Sequence, residues 1–120
     1  MNVPWWFPFG SVAGIHPAVL ATALNAEPAL QLVDVRTGVE YAGGHIRGAV
    51  NVPITALVSR LASLGLDRSR PVVAVCLSAH RSPPAVRLFR RHGYDAVELA
   101  GGMLAWRAAG LPEEGRPVRA

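Results

Sequence analysis

The chain has little with which to staple itself, hold a metal or cross a membrane. Cys76 is the single cysteine among 120 residues. That excludes an internal disulfide and a multi-cysteine metal site, and it suits a reducing compartment. The four histidines, His16, His45, His80 and His92, are scattered without ligand spacing, so no metal site is expected. Long hydrophobic runs are also missing. Met1 to Phe9 carries Trp5, Trp6, Phe7 and Phe9, but Pro4 and Pro8 interrupt it and it is too short to span a bilayer. It has no basic leader and no small-residue cleavage site, so the default expectation is the cytoplasm, with no transmembrane segment. There is no lysine-rich tract and no alternation of basic and aromatic residues, so nucleic acid is not an expected partner.

What is present points to one packed domain. About half of the residues (51%) are apolar and 17% are charged, which excludes a disordered chain. The net charge of +4 comes mostly from arginine and favours anionic small molecules or acidic partners. Residues 1–11 read as an aromatic arm that packs on the domain or a second subunit, with partner docking or a membrane surface as the alternative. Residues 12–112 read as the domain, and 113–120 as a loose tail.

Within the domain, apolar periodicity alternates between two repeats. Pro17 opens a short helix with Val19, Leu20, Ala23 and Leu24 on one stripe. Leu30 to Val35 reads as a buried strand, Gly38 to Gly44 as a turn or helical piece, and Ala49 to Val52 as a strand. Ile54, Leu57, Val58, Leu61 and Leu64 share one helical face, ended by Gly65. Val72 to Cys76 is the central strand. A helix follows from Ser82, with Ala85, Leu88, Phe89 and His92 on one side and Arg87, Arg90 and Arg91 away from it. Asp95 to Leu99 is the last strand and Gly102 to Ala109 the last helix. Strands alternating with helices imply right-handed crossovers and a mostly parallel sheet flanked by helices on both faces. Ligands of such sheets bind beyond the carboxyl ends of the strands, where Asp34, Arg36 and Cys76 fall.

The stretch Val72 to Pro84 concentrates the chemistry. A buried-looking strand ends on the thiol, a tight loop follows, and a helix opens at Ser82-Pro83-Pro84. Unpartnered backbone N–H groups and the helix dipole favour an anion there, and the thiolate is the form that attacks. Arg81 adds a fixed positive charge nearby. The competing reading makes Cys76 a small buried hydrophobe, Arg81 a surface ion-pair partner and His80 an exposed loop residue.

The loop Cys76-Leu77-Ser78-Ala79-His80-Arg81-Ser82 resembles the active-site loop of the rhodaneses, usually C-x-x-G-x-R. Asp34-Val35-Arg36, Glu40-Tyr41 and Gly44-His45-Ile46-x-Gly48-Ala49-x-Asn51-x-Pro53 are similar to that family's N-terminal signature. Gly93-Tyr94, Val97, Leu99, Gly101-Gly102, Trp106 and Gly110-Leu111-Pro112 resemble its C-terminal one. The resemblance spans roughly Ile15 to Pro112, in order. It implies a single-domain rhodanese with a small five-stranded parallel sheet flanked by helices, which works without a cofactor. It further implies that Cys76 takes a sulfur atom from a small anionic donor such as thiosulfate, or from another persulfide donor. The Cys76 persulfide then passes the sulfur to cyanide in an assay, or to a thiol or protein acceptor. Leu77 to Ser82 would bind the donor, with backbone N–H groups aimed at the sulfur, Arg81 holding the anion, and Ser78 and His80 adding hydrogen bonds. Asp34, Arg36 and Glu40 are expected to form an ion-pair cluster that supports the loop platform.

Two positions depart from the family pattern. Ala79 stands where glycine is usual, at a cost of roughly 1–2 kcal/mol if that position needs a positive φ. Leu77 stands where a basic residue is common, which removes one charge for thiosulfate. A rhodanese-like binding or redox-sensing module is therefore one rival reading. A cysteine phosphatase or arsenate reductase is another, although those loops place five residues between Cys and Arg and this one places four.

Overall fold

The computed structural model describes residues 12–26 and 30–115. The aromatic arm of 1–11 and residues 116–120 lie outside them. Five strands run in chain order as β1 (Gly14–Ile15), β2 (Gln31–Asp34), β3 (Val50–Asn51), β4 (Val72–Val75) and β5 (Ala96–Leu99). They form one sheet in the order β1-β5-β4-β2-β3, and every pairing is parallel. Among the described residues four α-helices connect them, α1 (Pro17–Ala26), α2 (Gly38–Ala42), α3 (Leu57–Arg60) and α4 (Ser82–Arg91), and α5 (Gly102–Ala108) follows the last strand.

β4 is central because all four of its residues are apolar and buried, as a strand covered on both faces requires. Strand alternation divides the interior. Val72, Ala74 and Cys76 join one core cluster with Val33, Val35, Leu57, Leu61, Ala85, Val86 and Phe89. Val73 and Val75 join a second, with Leu20, Ile46, Leu99, Met103 and Trp106. α3 and α4 therefore cover one face, while α1 and α5 cover the other.

Several local expectations are revised. The helix expected from Ile54 to Leu64 is a four-residue α3 between two 3₁₀ turns, Ile54–Ala56 and Leu61–Leu64. Gly65 does end the run, in a left-handed conformation at φ 67°. Gly14–Ile15 forms an edge strand that the residue pattern did not show, because two residues carry no periodicity. His92 is exposed at the end of α4 rather than part of its buried side. Arg90 is exposed, as expected, and its Nε also donates to the Ala96 carbonyl.

Of the segment 113–120 expected to be loose, Glu113 and Glu114 are held in place. Glu113 receives a two-nitrogen contact from Arg107, and Glu114 makes an antiparallel bridge with His45. Among the described residues, no helix is long and apolar enough to cross a membrane.

Candidate functional site

β4 carries Cys76 to the carboxyl edge of the sheet, where the residue is 0% exposed. Its main chain is held from the side by the start of α5. The N–H of Met103 donates to the Cys76 carbonyl at 2.8 Å, and the N–H of Leu104 donates to the Leu77 carbonyl at 3.0 Å. This approach needs the paired glycines before it, since Gly101 and Gly102 sit at φ 73° and 63°. A Cβ on Gly102 would lie 2.5 Å from both the Cys76 and Leu77 carbonyl oxygens.

The loop then turns sharply. Ala79 has φ 61° and is the single non-glycine residue in the left-handed region among those described. The position does demand a positive φ, and alanine occupies it at a conformational cost. Ser78 Oγ and His80 Nδ1 are 2.8 Å apart, which closes the turn on itself. His80 is exposed, and Leu77 is half-buried against the second core cluster. Pro83 and Pro84 fill the first turn of α4 and carry no N–H. The donors left in this corner come from Leu77 to Ser82.

Asp34, Arg36 and Glu40 do not form one ion-pair cluster: Asp34 pairs with Arg36 and Glu40 with Arg81. Arg36, 1% exposed, is locked to Asp34, 0% exposed, by contacts of 2.7 and 2.9 Å. Its remaining N–H groups reach the carbonyls of Gly44 at 2.7 Å and Glu40 at 3.3 Å. Asn51 Nδ2 donates to the carbonyls of Asp34 and Arg36 and ties β3 to the same platform.

The Glu40 carboxylate faces the loop instead. It accepts from both terminal nitrogens of Arg81, at 2.6 and 2.8 Å. It also accepts from the Thr37 N–H and hydroxyl in a capping box that starts α2. Arg81 beside it, with the Thr37 contacts helping against partial burial, holds the Glu40 carboxyl down to about 2. The same pairing raises the Arg81 guanidinium above its ordinary value.

Sequence reasoning missed one residue at this site, Glu98, which is reached through the expected loop residue Ser82. Ser82 is 0% exposed, and the Cys76 thiol donates to its Oγ at 3.4 Å. Ser82 Oγ in turn donates to Glu98 Oε2 at 2.8 Å, and Glu98 is only 9% exposed. Burial raises the Glu98 carboxyl, opposed by the Ser82 hydrogen bond and by the charge of Arg87. The available signal was a lone acid in the apolar strand Ala96-Val97-Glu98-Leu99, on the same side as Ala96. A cavity of about 570 Å³ lies elsewhere, against Leu24, Ile46 and Trp106, and no residue from Cys76 to Ser82 lines it.

Comparison with known proteins agrees with this fold. Residues 16–109 match the family model of the rhodanese-like domain. An HTH-type transcriptional regulator of Mycobacterium tuberculosis is 51% identical over 90 residues, covering 72% of this chain and 39% of its own length. The chain thus spans well under half of that relative. A thiosulfate sulfurtransferase of Escherichia coli is 30% identical over 90 residues, covering 75% of this chain and 86% of the relative. The crystal structure of a rhodanese-related protein from Thermoplasma volcanium superposes with a TM-score of 0.78 at 27% identity, covering 87% of this chain and 99% of that one.

Proposed function

The chain belongs to the rhodanese-like domain family, and from that premise we propose that it is a sulfurtransferase acting through a Cys76 persulfide. The observation that carries this reading is the mounting of the thiol. Cys76 sits at the end of the central strand, under a four-residue loop that closes on Arg81, with its main chain clamped by α5. The thiolate attacks the outer sulfur of the donor, the donor's remaining group leaves with the bonding electrons, and the persulfide is then emptied by a thiophilic acceptor. No second cysteine lies among these 120 residues to take the sulfur from Cys76.

The charge distribution favours an organic or protein persulfide over thiosulfate as donor. Arg81 spends both terminal nitrogens on Glu40, so a dianion meets a largely neutralised guanidinium. Leu77 supplies no second charge. Loading rates from thiosulfate and from a small-molecule persulfide, measured side by side, test this preference. Faster loading from the persulfide is expected, and equal or faster loading from thiosulfate contradicts it.

A second reading has one observation behind it, the 51% identity to a transcriptional regulator. In that reading the same persulfide-forming cysteine serves a regulatory module, with the state of Cys76 as its output. The cytoplasm remains the proposed compartment in either case.

A further inference from the structure

Cys76, Ser82 and Glu98 form a buried hydrogen-bonded line that ends on a carboxylate, and nothing in sulfur transfer as described so far uses that end. We propose that Ser82 and Glu98 are a proton relay behind the thiol, with Glu98 as a positioning residue that receives the Cys76 proton through Ser82. The inference rests on Cys76 being the sulfur-accepting nucleophile.

The argument begins with hydrogen-bond direction. Ser82 gives its one O–H to Glu98 at 2.8 Å, so its oxygen presents only a lone pair to the sulfur at 3.4 Å. The relay starts from a protonated sulfur donating along this line and from an ionised Glu98 accepting at its end. For the thiol to attack, its proton must leave. Cys76 and Ser82 are each 0% exposed, so the contact available to that proton is the serine oxygen.

The step balances as follows. The Sγ–H bond breaks, and its proton goes to Ser82 Oγ while the Ser82 proton goes to Glu98 Oε2. Sγ forms a bond to the outer sulfur of an ionised organic persulfide, R–S–S⁻. The donor's S–S bond breaks, and R–S⁻ leaves with its electrons. The products are the Cys76 persulfide anion, R–S⁻ and a neutral Glu98, so total charge is unchanged. The line has then reversed, with Glu98 donating to Ser82 and Ser82 donating to the sulfur it formerly accepted from.

The surroundings suit a carboxyl that gains and loses a proton. Glu98 pairs in register with Gly14 of β1 and Ala74 of β4, neither of which is charged. From α4 it faces Ser82 and the positive charge of Arg87, and at the end of β4 the titratable group is Cys76. Arg81, the other cation near the sulfur, is held by Glu40. Desolvation raises the Glu98 carboxyl and makes it a better base than an exposed one, opposed first by the Ser82 hydrogen bond and then by the charge of Arg87.

The test is single-turnover persulfide loading of the full chain from a small-molecule persulfide, followed by intact mass across a range of pH. Glu98→Gln should slow loading by roughly tenfold or more near neutral pH, with the deficit shrinking in alkali as thiolate forms without help. Ser82→Ala, which leaves the carboxyl in place, should show the same profile, and the double variant should be no slower than either single one. Ser82→Ala also carries the test if Glu98→Gln fails to fold. Loading at the parental rate with a parallel pH profile would overturn the relay, as would faster loading, which would make Glu98 an electrostatic brake. Failure of the parental protein to load at all overturns instead the nucleophile reading on which the relay rests.

Discussion

Gly102 lies where any side chain would strike the carbonyl oxygen of Cys76, 2.5 Å from an added Cβ. The nucleophile's backbone and the first turn of α5 are therefore a single packed unit, joined by the Met103 and Leu104 amides. The glycine is required twice, for its φ of 63° and for this closeness. Gly102→Ala should cost about 2–4 kcal/mol, measured by chemical unfolding, and should depress sulfur loading in the fraction that folds. Parental stability in that variant would show that α5 is not clamped to the loop.

Ala79 sets the opposite expectation. Its φ of 61° is disfavoured for any residue with a Cβ. Ala79→Gly relieves that strain at the expense of a more flexible unfolded chain, for a net gain of up to about 1 kcal/mol. Thiosulfate turnover should be preserved or raised. A large loss of turnover would mean that the alanine methyl itself shapes the working loop.

The Arg81–Glu40 pair makes a prediction in pH. Glu40 is lowered from 4.5 to about 2, chiefly by Arg81. Between those values the unfolded chain binds the proton that the folded chain refuses, so stability rises with pH across the window. The contribution is complete above about 4.5 and is lost as pH falls through about 2. In Glu40→Gln the stability curve should flatten over that window relative to the parent. The same variant frees the Arg81 guanidinium, and loading from thiosulfate should rise severalfold. An unchanged acid slope would mean that the pair does not persist in solution.

Asp34 and Arg36 form the buried pair of the platform, with exposures of 0% and 1%. Asp34→Ala strands a charge in the interior and should destabilise by about 3–5 kcal/mol. The double variant Asp34→Ala/Arg36→Met, which removes both charges, should be the more stable of the two. Thermal unfolding of both proteins checks the ordering.

Much of the fold was legible because burial imposes simple patterns. Val72 to Val75 is apolar at every position, as a strand covered on both faces must be, and it leads straight to the thiol. The Cys76-to-Arg81 spacing was readable because it is local, whereas Gly101-Gly102 at the start of α5 entered only through the resemblance to the C-terminal signature. Pairings between distant segments were not readable. Glu40 lies 41 residues from Arg81 and was assigned to Arg36, because nothing local tells a carboxylate which of two guanidiniums it will meet. Glu98 was passed over because one acid in a short strand carries no period, and its meaning comes only from α4 crossing above it. The two residues of β1 were invisible for want of length. The outward turn of His92 follows from the helix ending at Arg91, one residue before it.

Intact-protein mass after incubation with a sulfur donor tests the central claim most directly. The chain should gain one sulfur atom from a small-molecule persulfide, lose it on addition of cyanide, and gain nothing in the folded Cys76→Ser variant. A parental protein that takes up no sulfur from either donor, or a Cys76→Ser variant that takes it up equally, would contradict the account.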